Sequence, residues 1–277
     1  HVKKLYKNMG FAVANNIGAR MACGKWLALL NADAFPETEW LENLVKAAEQ
    51  YPNGFFSSRQ IQANTPTILD GEGDVYHISG LAWRINYGYP IQKREAIEEI
   101  FSPCAAAALY PRQDFLEIGG FDEDYFSYHE DVDLGFRLRL RGLSAYYVPK
   151  ATVYHVGSAS TGKMSDFSVY YGHRNLVWTY LKNMPGLLFW LFLPLHLFIN
   201  LYFLVSFSIK GRGKVIWSAK RDAVKELGKM WGRRKEIQAE RIASASDICQ
   251  ALERNFLTPV FVSLQRRYDD SKRKISL

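Results

Sequence analysis

Between Gly186 and Ile209 the chain runs for 24 residues, GLLFWLFLPLHLFINLYFLVSFSI, almost without a polar side chain. That is long enough to cross the hydrocarbon core of a bilayer. Large apolar side chains such as Phe189, Trp190, Phe192, Phe198, Tyr202, Phe203 and Phe207 occur around the whole circumference, which is rare in the core helix of a soluble protein. Pro194, His196 and Asn200 sit near the middle, so a helix bent at Pro194 and lying in the interface competes with a straight span, and a buried core helix is the third alternative. Directly afterwards, 11 Lys and Arg between Lys210 and Arg241 stand against four acids. A basic flank marks the cytoplasmic side of a membrane segment and attracts anionic headgroups. Three parts are therefore expected: 1–185, a membrane-spanning or membrane-associated segment 186–209, and a basic helical tail 210–277. In the tail Ala251–Phe256 reads as amphipathic helix and the polar end is expected to fray.

Charge divides at the same place. Residues 1–185 carry 18 Lys and Arg against 20 Asp and Glu, whereas residues 186–277 carry 17 against 8, so the net +7 belongs to the tail. Those basic residues follow an apolar segment and lack interleaved aromatic platforms, so nucleic acid is not an expected partner. Cys23, Cys104 and Cys249 are far apart, which excludes a disulfide scaffold and a paired-cysteine zinc site and favours a reducing compartment. At 48% apolar residues the chain can bury a core.

The first part reads as helices alternating with strands, the pattern of a layered α/β sheet. Helices are expected over 10–22, Thr38–Gln50, Pro111–Ile118, His129–Arg141 and Phe167–Lys182, and strands over Lys25–Asn31, Cys104–Tyr110 and Ser144–Val156, the last broken at Pro149. Residues 54–100 mix strand-length pieces with Gly, Pro and Asn and suggest no definite arrangement.

Three places carry candidate chemistry. In LLNADAF an apolar strand runs into Asn31-Ala32-Asp33; a carboxylate at the carboxyl end of a buried strand points into the crevice where α/β proteins bind ligands. With the Asn31 amide it suits Mg²⁺ or Mn²⁺, which take oxygen ligands, although Asp33 equally suits a turn or a helix cap. In GGFDEDYFSYHED five acids (Asp122, Glu123, Asp124, Glu130, Asp131) alternate with aromatics, a composition that fits sugar binding or general-base work as well as ordinary helix-start design. His155 ends a strand before small residues, and a neutral imidazole there could complete a metal site begun by Asp33 or be purely structural.

In this order, with the segment before them, these pieces resemble family 2 glycosyltransferases. Asn8–Gly18 (NMGFAVANNIG) follows the family's N-x-G-F-x-x-A-x-N-x-G stretch, and LLNADA resembles its LLNPD metal-binding turn. Ile118–Glu123 with Tyr128–Asp131 resembles the acceptor-side G-G-F-D-E…E-D pattern, Val153-Tyr154-His155 the late histidine, and Arg174-Asn175 an R-N pair of rhamnosyltransferase-like members. The resemblance covers residues 7–185. It implies a GT-A fold with a Rossmann-like mixed sheet, and inverting transfer from a nucleotide-sugar, with dTDP-rhamnose as the implied donor. It assigns Asp33 and His155 to the metal, Asp131 to deprotonation of the acceptor hydroxyl, Glu130 to acceptor orientation, and Gly10, Asn16 and Asn31 to the donor side. Asn31 stands where many members have a first Asp. The family's opening parallel strands have no counterpart here, so roughly 60–80 residues of catalytic domain are expected to be missing, by the usual length of α/β units. Weak donor binding by this chain alone and an exposed apolar sheet edge are expected consequences. The resulting reading is a membrane-associated enzyme at the cytoplasmic face that extends a lipid-linked or surface glycan. The alternatives are a non-catalytic glycan- or lipid-binding module and a hydrolase built on Glu130 or Asp131.

Overall fold

The structure, a computed structural model, describes residues 1–157 and 165–264. The small residues after Gly157 and the basic end expected to fray lie outside them. Nine strands are present: β1 (Trp26–Leu30), β2 (Ala34–Pro36), β3 (Gly54–Gln62), β4 (Leu69–Gly71), β5 (Asp74–Tyr76), β6 (Ala82–Arg84), β7 (Glu98–Ile100), β8 (Ala107–Pro111) and β9 (Ser144–His155). The helices described are α1 (Phe11–Met21), α2 (Trp40–Gln50), α3 (Arg112–Glu117), α4 (Glu130–Leu140), α5 (Asp166–Asn183), α6 (Gly186–Phe207), α7 (Gly213–Lys225), α8 (Leu227–Ala239) and α9 (Ala245–Ala251).

The main sheet has the order β1-β8-β3-β9-β2, with β4 on β3 and β7 on β9, while β5 and β6 form a separate ribbon. The pair β3–β9 is parallel and the others are antiparallel, so the sheet is mixed as expected. Side chains of successive strand residues leave on opposite faces. Phe55, Ala108, Tyr110 and Tyr147 accordingly pack with α1, α3 and α4, and Phe56, Leu109 and Val148 pack with α2 on the other face. The result is three layers. β1 ends the strand order and leaves Leu30 40% exposed.

Two strands differ from the sequence reading. β3 was hidden by Ser57, Ser58, Arg59 and Gln60, yet it is central and mostly buried. Two of its polar side chains have partners from elsewhere in the chain: Ser58 Oγ accepts from Trp40 Nε1 at 2.7 Å and Gln60 Nε2 donates to the Cys104 carbonyl at 3.2 Å. β9 is not broken at Pro149; its pairing with β3 jumps from Ser58 opposite Val148 to Arg59 opposite Thr152. Residues 149–151 form a bulge, where a proline without an N–H removes no ladder bond.

The boundary expected at residue 185 is not a packing boundary. One core joins Tyr76, Tyr125, Phe136 and Trp178 from before it to Phe189, Ala223, Met230 and Ile248 from after it. α6 passes through Pro194 without ending; the chain turns later, at Gly211, in a π-helical turn with φ 76°. The helix expected over Ala251–Phe256 lies earlier, as α9, because Ser244 and Asp247 form a capping box and Leu252 is already extended.

Between α4 and α5, Asp133 is fully buried and accepts from Tyr125 Oη (3.1 Å), Arg137 Nε (2.8 Å) and Asn183 Nδ2 (2.8 Å), with Lys182 Nζ at 2.9 Å. Burial alone would raise its carboxyl, but the Lys182 and Arg137 charges outweigh burial and hold it well below the usual range. Removing one partner of such a network leaves buried charge uncompensated, so Asp133→Ala is expected to cost about 3–5 kcal/mol. Chemical denaturation checks this; a loss below ~1 kcal/mol would mean that the network is not needed to join the two helices.

Candidate active site

The turn after β1 is fixed at both ends. Asn31 N–H donates to the Ala106 carbonyl at 2.9 Å, and the Asn31 carbonyl accepts from Ala34 N–H at 3.0 Å. β2 then pairs antiparallel with the end of β9, Ala34 opposite His155. That register sets His155 Nε2 3.4 Å from Asp33 Oδ1. The other ring nitrogen, Nδ1, lies 2.7 Å from Oδ2 of Asp70 on β4, and Asp70 in turn pairs with Arg84 Nη1 of β6 at 2.6 Å. Burial would raise the Asp70 carboxyl, but the His155 hydrogen bond and the Arg84 charge outweigh it and keep it low. A carboxylate on Nδ1 fixes the proton there and turns the Nε2 lone pair outward, as the outer-shell carboxylate does in metal-bound histidines. Two lone-pair atoms 3.4 Å apart then call for a positive charge beside them. Asp33 and His155 are thus the pair that could hold a divalent cation; among the described residues no cluster of three or more His, Cys, Asp or Glu encloses a common point.

Asp131 approaches from the opposite side of the same turn. Its Oδ2 accepts from Ala105 N–H at 3.3 Å, one residue before the carbonyl that holds Asn31, and its Oδ1 accepts from Val132 N–H at 2.9 Å. Arg84 links the two groups electrostatically, since its charge acts on Asp70 and Asp131 alike. Burial raises Asp131 in spite of those hydrogen bonds and that charge. Its neighbour Glu130, buried and with Oε2 unpartnered, is pushed up to about 8 by burial and then by Asp131. One carboxyl next to another, both reluctant to ionise, forms a proton-handling pair.

The segment leading to this pair is strained. Phe126, Tyr128 and His129 all have φ between 62° and 66°, a region that side chains other than glycine adopt at a cost of about 1–3 kcal/mol each. Asn175 Nδ2 holds it by donating to the carbonyls of Tyr125 (3.1 Å), Ser127 (2.9 Å) and Tyr128 (2.7 Å). Arg174 Nη2 adds the carbonyls of Asp124 and Tyr125 at 2.9 and 3.1 Å. Gly10, φ 83°, packs on Phe126 so closely that a Cβ would come within 2.9 Å of its ring; it supports the segment from below.

Asn16, which the resemblance assigns to the donor side, has structural partners. It is buried, its Nδ2 donates to the Phe121 carbonyl (2.8 Å) and Glu123 Oε1 (3.1 Å), and its Oδ1 accepts from Phe121 N–H (2.9 Å). The amide fastens α1 to the Gly-Gly-Phe turn. Three of the five acids expected to serve a ligand are likewise engaged within the chain: Asp122 with Lys182 at 2.5 Å, Glu123 with Asn16, and Asp124 with Lys229 at 2.6 Å. Asp70 and Arg84 were not anticipated, because they lie on three-residue strands in the stretch that showed no periodicity.

The mixed sheet, with a turn at the end of β1 and a histidine at the end of β9, has the architecture of the GT-A fold. Residues 1–119 match the family described as Glycosyl transferase family 2, a match that ends before Glu130, Asp131 and His155. The chain is 31% identical over 161 residues to the N-acetylglucosaminyl-diphospho-decaprenol L-rhamnosyltransferase of Mycobacterium tuberculosis, covering 50% of this chain and 49% of that protein. It is 43% identical over 53 residues to Rhamnosyltransferase WbbL of Escherichia coli K12, covering 19% and 20%. The resemblance read from the motifs, family 2 and rhamnosyltransferase-like, is upheld. The chain spans about half the length of the mycobacterial relative. Among solved structures, GalNAc-T7, crystallised with UDP, GalNAc and Mn²⁺, superposes with a TM-score of 0.52 at 16% identity, over 65% of this chain and 36% of that one, a likeness of fold alone.

Folded Glu130 keeps its proton up to about pH 8, whereas an unfolded glutamate loses it near 4.5. Between these values the native state binds more protons, so stability falls as pH rises from 4.5 through about 8. Glu130→Gln should flatten that fall, melting above the parent at pH values past 8 and level with it below 4.5. Melting curves across this range test it, and parallel curves for the two proteins would show that Glu130 ionises normally.

Proposed function

We propose that this chain forms catalytic machinery that moves a sugar, rhamnose by likeness to its relatives, from a nucleotide-sugar to a glycan or lipid-linked acceptor with inversion, using Mg²⁺ or Mn²⁺. The supporting observation is the Asp70–His155–Asp33 relay set beside Asp131. Asp33 Oδ1 and His155 Nε2, 3.4 Å apart, are spaced as two neighbouring ligands of one cation, and Mg²⁺ commonly takes one or two protein ligands together with substrate phosphates. A cation held there supplies neutralisation of the charge that grows on the departing diphosphate. Asp70 keeps the imidazole in the required tautomer, and Arg84 offsets the negative charge gathered by Asp70 and Asp131. Asn31 holds the turn that presents Asp33.

Asp131 accepts the proton of the acceptor hydroxyl as its oxygen bonds to the anomeric carbon. The bond from that carbon to the diphosphate oxygen breaks on the opposite face, and the nucleoside diphosphate leaves. A carboxylate whose affinity for protons is raised by burial is better matched to this work than an exposed one. Glu130, carrying its proton at neutral pH, donates a hydrogen bond and orients the incoming sugar. We place the reaction at the cytoplasmic face of a membrane, where nucleotide-sugars are available, with residues 1–185 bearing the reaction, 186–209 meeting the lipid, and the basic tail 210–277 flanking it.

Two substitutions test this in the intact protein with dTDP-rhamnose and a lipid-linked acceptor. Asp131→Asn should lower turnover by about 10²–10⁴ while donor binding persists. Asp70→Asn should raise the Mn²⁺ concentration needed for half-maximal rate by about 10–100-fold, the usual effect of losing a carboxylate behind a metal-bound histidine. Near-normal turnover of Asp131→Asn would remove the base, and an unchanged Mn²⁺ requirement in Asp70→Asn would remove the relay.

A further inference from the structure

We infer that α6 is a monotopic anchor that lies in the plane of an anionic membrane surface and does not cross it. The inference rests on the membrane association proposed above and adds the geometry. A 22-residue helix is about 33 Å long, enough for a span by length alone. Its attachments argue otherwise, because the protein body holds it at both ends and in the middle. Near its start, the Phe189 carbonyl accepts from Tyr180 Oη at 2.7 Å, and the Arg234 guanidinium lies 4.5 Å from the Phe189 ring centre. In the middle, His196 Nδ1 is 2.8 Å from the Ser79 carbonyl and its ring stacks on Tyr180 at 4.0 Å, while Asn200 Oδ1 accepts from Lys220 Nζ at 2.5 Å. Near its end, Phe203 and Phe207 pack on His173 with ring centres 4.7 and 4.9 Å away.

The polar residues that made a straight span doubtful in the sequence, His196 and Asn200, are therefore the ones turned toward the protein. If α6 stood upright in a bilayer, the surfaces that grip it would enter the hydrocarbon with it. Those surfaces include Lys220 on α7 and Arg234 on α8, at about 2.5–3.5 kcal/mol per charged side chain.

The opposite face is uncovered. Only 11% of the apolar window is buried in protein. Leu187, Trp190, Phe198, Leu201, Val205 and Ile209, each 49–81% exposed, recur at spacings of three, four or eight residues and form one stripe from end to end. Next in the chain, the outer face of α7 presents Trp217 and Val224 together with Arg221 and Lys225, all about 60% exposed. Apolar and aromatic side chains interspersed with basic ones match the boundary between acyl chains and anionic headgroups. Water does not suit the stripe, and a bilayer interior does not suit the bases.

The full chain and sealed vesicles provide the test. Flotation with vesicles of phosphatidylcholine plus phosphatidylglycerol should recover the protein, and phosphatidylcholine alone or high salt should recover less. Phe198→Glu with Leu201→Glu, both on the outer stripe, should reduce recovery by about tenfold or more, as expected from losing two buried apolar side chains, while leaving the melting temperature unchanged. A spanning helix would shield one flank from added trypsin until detergent opens the vesicle; an in-plane helix gives the same digestion pattern with and without detergent. A detergent-dependent pattern overturns the in-plane geometry alone. Failure to float with any vesicle overturns the membrane reading as well. Self-association dispersed by the same double substitution, without flotation, would assign the stripe to a second copy of the chain and overturn the inference.

Discussion

The parallel pairing of β3 with β9 is the constraint on which the site depends. β9 is the longest strand and lies against β3, β7 and β2. Its last residue is His155, opposite Gln62 on one side and Ala34 on the other. The imidazole is therefore delivered by backbone hydrogen bonds that are themselves buried in a sheet, and the Asp33 turn is brought to it by the shortest of connections, the three-residue strand β2. The bulge at Pro149 takes up the slack in this pairing. Because side chains alternate across a sheet, a slip of one residue would turn His155 away from Asp70 and Asp33 together.

Much of this was legible in the chain itself. The apolar run WLALL followed by Asn-Ala-Asp marks a strand that ends in a ligand-facing turn, and the apolar spacing of Val132, Phe136 and Leu140 marks the helix that starts at the acidic pair. Both signals are local, one of period two or less and one of 3.6 residues, and such signals survive without tertiary information. Legibility stopped where the stabilisation is non-local. β3 looks like a loop because the partners of Ser58 and Gln60, Trp40 and Cys104, are distant in sequence. Asp70 and Arg84 sit on strands too short to show a period. The partners of Asn16 were hidden for a related reason: a motif fixes which residue is present but not that its amide is bonded to Phe121, 105 residues away.

The acidic pair is held by an expensive piece of backbone. Three left-handed residues within four positions persist because one buried amide, Asn175, holds the carbonyls of Tyr125, Ser127 and Tyr128 in and beside that stretch, and Arg174 holds those of Asp124 and Tyr125. The Arg174 guanidinium is itself fixed between aromatic rings, 4.1 Å from Trp178 and 4.8 Å from Tyr171. Rigid aromatic packing on α5 is thus converted into a fixed start for α4 and a fixed location for Asp131. The adjacent Arg-Asn pair, which in the sequence was a family likeness without a stated task, has a physical one: it offsets strain close to the reacting groups.

The core that runs uninterrupted past residue 185 has a mechanical meaning. Because α4, α5 and α6 share that core, the distance from Asp131, at the start of α4, to α6 is set by side-chain packing during folding, as a gauge block sets a height in a workshop. Under the proposed function, that fixed distance would select a lipid-linked acceptor by the reach of its headgroup above the surface on which α6 rests.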